Sequence, residues 1–182
     1  MVKRILRRLR SQGGFSLVEL LMAMTMLNVG ILAIVAAFSS ATVGIKRASR
    51  IGTATALADG QMELYRGMLY NSIALDATSV SSAPNSPYKC DSALGASCPN
   101  STSSEITTTC SAPLPKECKA ERAATGADGG SYLVDTYILP ITPSSGSYSG
   151  RVSKLVTVVV RDSTSPYYTW VRQTSTFDQA TG

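Results

Sequence analysis

"GGFSLVELLMAMTMLNVGILAIVAAF", Gly13 to Phe38, decides how the rest of the chain is read. From Phe15 to Phe38 there are 24 residues, and Glu19 is the only charged one. About 20 apolar residues are enough to cross a hydrocarbon core of about 30 Å, so the segment is long enough to span a membrane. Five basic residues, Lys3, Arg4, Arg7, Arg8 and Arg10, stand just before it. Basic flanks stay on the cytoplasmic side, which places everything past about residue 40 outside. A secretory signal would end in a small-x-small cleavage site, and none follows closely. Two forms are left: an uncleaved signal-anchor, or a segment cut on its N-terminal side and retained.

The net charge of +5 belongs to the leader. Beyond residue 14 the chain is neutral, with twelve Lys/Arg against twelve Asp/Glu. A nucleic-acid footprint needs basic residues clustered on the folded part, so no nucleic-acid partner is expected. Lys46, Arg47 and Arg50 form a small cluster that suits lipid headgroups or solvent. The chain has no histidine, which removes the commonest general base and excludes Ser-His-Asp and Cys-His sites. Asp128 and Asp135 read as scattered surface acids rather than an acid/base pair. No enzyme, cofactor or metal site is expected.

Glu19 has two readings. Ser16-x-x-Glu19 before an apolar run is a capping box, and an acid suits the positive end of a helix dipole. In hydrocarbon, however, a carboxylate is costly and usually has a partner. Cleavage after Gly14 would supply one, because Phe15 would then carry a free positive amine close to Glu19.

"GGFSLVEL" resembles the processing site of type IV prepilins and type II secretion pseudopilins. The resemblance implies a leader, residues 1–14, removed between Gly14 and Phe15 by a prepilin peptidase that also methylates the amine of Phe15. It implies that Glu19 aligns each subunit with a neighbour's amine during filament assembly. "LNVGILA" (Leu27–Ala33) and "ALADGQMELYR" (Ala56–Arg66) look like helix segments of minor pilins of the type IV pilus modification class. One departure is that residues 15–38 lack the proline that many major pilins carry there.

No proline occurs from residue 15 to residue 83, and the composition of 39–72 favours helix. One helix is expected from Phe15 to Asn71, with a membrane or filament-core half (15–38) and an outer half (39–72). Val43, Ile45, Ile51, Leu57, Leu64, Met68 and Leu69 give the outer half its apolar side. Ala36, Ser40, Gly44, Ala48, Gly52, Ala56 and Gly60 form a ladder of small residues, the spacing that lets another helix approach closely. The alternative is an Ala/Gly-rich helix with no partner.

Residues 73–130 are rich in Ser, Thr, Gly, Pro and Asn and read as loop. They hold all four cysteines, Cys90, Cys98, Cys110 and Cys118. The spacing does not suit zinc, and an even count in an exported segment suggests two disulfides. The repeated seven-residue interval favours Cys90–Cys98 and Cys110–Cys118, while nested pairing (Cys90–Cys118, Cys98–Cys110) stays open. In 131–182, "SYLVDTYILP", "RVSKLVTVVVRD" and "YYTWVRQTSTF" read as strands of a three- or four-stranded antiparallel sheet. Val152, Val156, Val158 and Val160, with Leu133 and Trp170, are expected to face the helix. Tyr167, Tyr168 and Trp170 suit strand and core positions more than a ligand platform.

The fold class is therefore α+β and pilin-like: a long N-terminal helix with a small antiparallel sheet on its outer half. The expected function is that of a minor pilin in the cytoplasmic membrane. Its N-terminus is cytoplasmic and its C-terminal domain lies outside before incorporation into a pilus or pseudopilus. Implied partners are the prepilin peptidase/methyltransferase, other pilins and an assembly platform. The alternatives are a type II secretion pseudopilin and, from another class, a signal-anchored extracellular binding domain.

Overall fold

The computed structural model describes residues 16–83, 87–95, 98–142 and 152–179. Gly14, Phe15 and the expected leader lie outside the described residues. Helix α1 is Leu17–Arg66. The chain divides into two units, Met1–Lys46 and Arg47–Gly182.

In the first unit, α1 is long and apolar enough to cross a membrane. Its large apolar side chains from Leu17 to Phe38 are all at least half exposed. Few polar groups interrupt the run, and their hydroxyls turn back onto the helix. Thr25 donates to the Met22 carbonyl (2.8 Å), Ser39 to Val35 (3.0 Å) and Thr42 to Ser39 (2.8 Å). In lipid this matters, because there is no water to take an unpaired donor.

In the second unit, α1 ends at Arg66, five residues short of the expected Asn71. Gly67 follows, a residue that weakens a helix by about 1 kcal/mol against Ala. The chain then tightens, with Met68 N–H bonding to the Tyr65 carbonyl, and leaves by an extended Leu69. The segment read as loop holds short elements: β1 (Leu75–Asp76), α2 (Ala77–Ser82), β2 (Thr107–Thr108) and several 3-10 turns. Asp76 caps α2 by accepting from Ser79 N–H, as Asp does at an N-cap.

A four-stranded antiparallel sheet follows, ordered β3 (Glu121–Thr125), β4 (Ser131–Ile141), β5 (Ser153–Asp162), β6 (Thr169–Asp178). The three expected strands are β4, β5 and β6. β3 was hidden in the stretch read as loop: "ERAAT" has only Thr125 among the β-branched and aromatic residues that signal a strand, and it is held by pairing with β4.

Pairing register sorts the sheet into two faces, since successive side chains alternate. Val134, Thr136 and Ile138 pair with Val160, Val158 and Val156 on one face. There they join Ala54, Ala58, Met62 and Tyr65 of α1 in the core. Leu133 falls on the opposite face, opposite Arg161, which corrects the expectation that it faces the helix. Val152 precedes β5 and is half exposed. Trp170, at the β-bulge of β6, packs on the core as expected.

The apolar side of the outer helix follows the expected one only in part: Leu57 and Met68 pack against the core as expected. Val43, Ile45, Ile51, Leu64 and Leu69 are exposed, while Ala54 and Ala58 are fully buried. Small side chains let the sheet approach the helix axis closely, so position rather than side-chain size selects the core. The α+β, pilin-like arrangement is as the sequence suggested.

Candidate functional site

The helix start is set by backbone bonds: Glu19 N–H (2.9 Å) and Leu20 N–H (3.1 Å) both donate to the Ser16 carbonyl. Glu19 lies in the first turn and is exposed. The reciprocal side-chain bonds of a capping box are not made among the described residues. Among the described residues its carboxylate has no partner, and it stands at the head of an apolar helix, available to a positive group from elsewhere.

On the outer half of α1, Ala48, Gly52, Ala56 and Gly60 are all exposed. A Cβ added at Gly44, Gly52 or Gly60 would meet nothing within 4 Å. Ala48, Gly52, Ala56 and Gly60 are thus an open surface of the second unit, separate from the Ala54–Ala58 stripe that meets the sheet.

The cysteines pair as two local rings, Cys90–Cys98 and Cys110–Cys118. The second is tied to the helical side: Cys110 N–H donates to Asp76 (3.1 Å), and Tyr65 hydroxyl donates to the Glu117 carbonyl (2.7 Å). The first covers the face of the sheet turned away from α1, through a buried polar network invisible in the sequence.

Arg161 is the centre of that network. It donates to Asp135 (2.8 Å), Tyr137 hydroxyl (3.3 Å), Thr169 (3.0 Å) and Asp91. Asp91, inside the first ring, also accepts from Arg172 at 2.6 Å. Tyr88 stacks on Tyr137 with centroids 4.3 Å apart. Asp135 is fully buried, so it is not the surface acid expected. Burial pushes its carboxyl up to about 7 despite Arg161. Burial also opposes ionisation of Asp91, yet hydrogen bonds from Arg172, the Ala93 N–H and Arg161 hold it below the usual carboxylate range.

Glu105 is pushed up to about 7 by burial, against the hydrogen bond with Tyr88. The Tyr88 hydroxyl lies 2.5 Å from Glu105 and 2.8 Å from the Thr136 carbonyl. One phenol proton cannot serve both acceptors. Tyr88 donates to Glu105 when that carboxyl is ionised; when Glu105 is protonated it can donate to Tyr88 instead, leaving the Tyr88 proton for the Thr136 carbonyl.

Arg47 and Arg50 do not project into solvent alone. Arg47 donates to Tyr168 hydroxyl (3.2 Å), and Arg50 pairs with Asp162 (3.0 Å) and lies 5.6 Å from the Trp170 ring centroid. Tyr168 and Trp170 meet edge to face at 4.8 Å. These aromatics secure β6 to α1. No group of three or more metal-ligating side chains gathers among the described residues.

Residues 9–39 match the family model of the prokaryotic N-terminal methylation motif. No curated protein and no solved structure matches the chain. The matched segment contains Glu19 and the apolar first half of α1. It supports a type IV pilin- or pseudopilin-like precursor, which implies processing by a prepilin peptidase and assembly with other pilins.

Proposed function

We propose that this chain is a minor pilin that starts, caps or modifies a type IV pilus. The observation that carries the reading is the methylation motif at 9–39 on a helix whose apolar first half is exposed along its length. Cleavage after Gly14 creates the amine of Phe15, which is then methylated and stays charged. Glu19, without a partner in its own chain among the described residues, neutralises such an amine on a neighbouring subunit. The apolar helices exchange lipid for one another as the subunit leaves the cytoplasmic membrane. The N-terminus stays cytoplasmic before cleavage, and the disulfide-bonded domain faces outward. The subunit acts by assembly and performs no catalysis.

The test is the mass and N-terminal sequence of the membrane-extracted protein, with and without a Gly14 substitution. A chain beginning at Phe15, one methyl group heavier, and blocked by the substitution is the expected result. A chain still beginning at Met1 in cells that carry the peptidase refutes the reading and leaves a signal-anchored domain.

A further inference from the structure

The exposed apolar surface of α1 does not stop at Phe38. Val43 is 67% exposed and Ile45 70%, and Lys46 and Arg47 follow at once. At about 1.5 Å per residue, about 45 Å of helix runs from Leu17 to Arg47. A bilayer is about 30 Å thick in its hydrocarbon and about 40–45 Å with its headgroups. A span beginning at Leu17 therefore carries Val43 and Ile45 into the glycerol level and brings Arg47 to the outer headgroups. Helical side chains lean toward the helix N-terminus, so the long stems of Lys46 and Arg47 reach back toward the phosphates.

Arg47 does not arrive alone. It donates to the Tyr168 hydroxyl at 3.2 Å, and Tyr168, 48% exposed, meets Trp170 edge to face. The turn between β5 and β6, where Thr164, Ser165 and Pro166 are exposed, is thereby tied to the level of Arg47. Tyrosine and tryptophan are the side chains that settle at headgroup depth, and a guanidinium is the donor that best matches phosphate oxygens.

Charge is ordered in the same direction. Among the described residues Arg47 forms no ion pair. The acids of this corner are already held: Asp162 pairs with Arg50, three residues further along α1, at 3.0 Å, and Asp128 accepts from Tyr132 at 2.6 Å. Apolar surface, then cation with aromatic, then paired charge is the sequence of environments met on leaving a bilayer. A soluble partner protein would account for Arg47 and Tyr168 but not for exposed Val43 and Ile45 on a helix already in lipid. We infer that Arg47, Tyr168 and the β5–β6 turn dock on the anionic phospholipid headgroups of the outer leaflet and hold the folded domain against the membrane until the subunit is withdrawn. This rests on the membrane span in the reading above, not on cleavage at Phe15.

The test places the full-length protein in nanodiscs of phosphatidylethanolamine with phosphatidylglycerol, and in nanodiscs of phosphatidylcholine alone. Quenching of Trp170, the single tryptophan, by a nitroxide on the lipid headgroup reports docking. Arg47 and Tyr168 are exposed, so Arg47→Gln, Arg47→Lys and Tyr168→Ser leave the fold intact, and urea unfolding in detergent verifies this. Quenching is expected to be stronger with phosphatidylglycerol and to weaken in 1 M salt, where charges are screened beyond about 3 Å. One cation near an anionic leaflet contributes about 1 kcal/mol, so Arg47→Gln lowers the ratio of docked to undocked domain about fivefold. Arg47→Lys keeps the ratio, and Tyr168→Ser lowers it. Equal quenching in the two lipids, or wild-type quenching in Arg47→Gln or Tyr168→Ser, overturns the inference. Normal docking by a chain left uncut at Phe15 in cells that carry the peptidase supports the inference while overturning the pilin reading. A chain that does not enter the nanodiscs overturns both.

Discussion

Arg161→Met tests the buried network most directly. The Arg161 side chain is 8% exposed, against 2% for Asp91 and 0% for Asp135. Methionine keeps most of the volume and removes the charge, so the change is electrostatic rather than a cavity. It strands Asp135 with no cation and leaves Asp91 with Arg172 alone. Breaking a buried pair from one side costs about 3–5 kcal/mol, a large part of the 5–15 kcal/mol that holds a typical domain. Arg172→Met is the control, because its side chain is 36% exposed and Asp91 keeps Arg161; its cost is about 1 kcal/mol or less. The assay is urea unfolding of the purified protein in detergent, followed by Trp170, the single tryptophan. Adding Asp91→Asn and Asp135→Asn to Arg161→Met should recover more than half of the loss, since neutral side chains need no cation. A loss below about 1 kcal/mol for Arg161→Met, or no recovery in the triple variant, would refute the reasoning.

Two further outcomes follow from local geometry. Glu105 and Asp135 both have raised values near 7, so their contribution is fully present below about pH 4 and is lost as pH rises through about 7. Glu105→Gln keeps a donor for Tyr88 without a titrating proton; thermal unfolding should become less pH-dependent between 5 and 8, and above pH 7 the variant should be the more stable protein. An unchanged profile would mean that Glu105 is ionised in the fold. At Gly126 an added Cβ would come within 2.3 Å of Thr53 Cγ2 and 2.7 Å of Tyr132, so Gly126→Ala should cost about 1–3 kcal/mol in the same urea assay. A neutral result there would show that the β3–β4 turn shifts freely away from α1.

Local signals carried the N-terminal half. A membrane-length apolar run, a basic flank and a carboxylate at its head each speak within a few residues, because lipid tolerates only one kind of spanning segment here. The strands β4, β5 and β6 were legible for a similar reason: β-branched and aromatic runs bounded by turn residues need no knowledge of their neighbours. The end of α1 was missed because Gly67 is a weak mark inside a strongly helical composition.

What the sequence by itself determined, then, is the class of the chain and its elements: a membrane-length helix with an acid at its start, four cysteines whose pairing stayed open, and an antiparallel sheet. Tertiary structure decided which side chains meet. β3 exists because β4 offers it a ladder, not because "ERAAT" prefers a strand. Ala54 and Ala58 became core, and the larger Ile51 and Leu64 did not, because the sheet closes on the helix where side chains are small. Asp91, Asp135 and Arg161 lie up to 70 residues apart in the chain and carry no shared motif. Their charges became one network only when the first disulfide ring closed over the far face of the sheet, where burial makes each charge depend on the others.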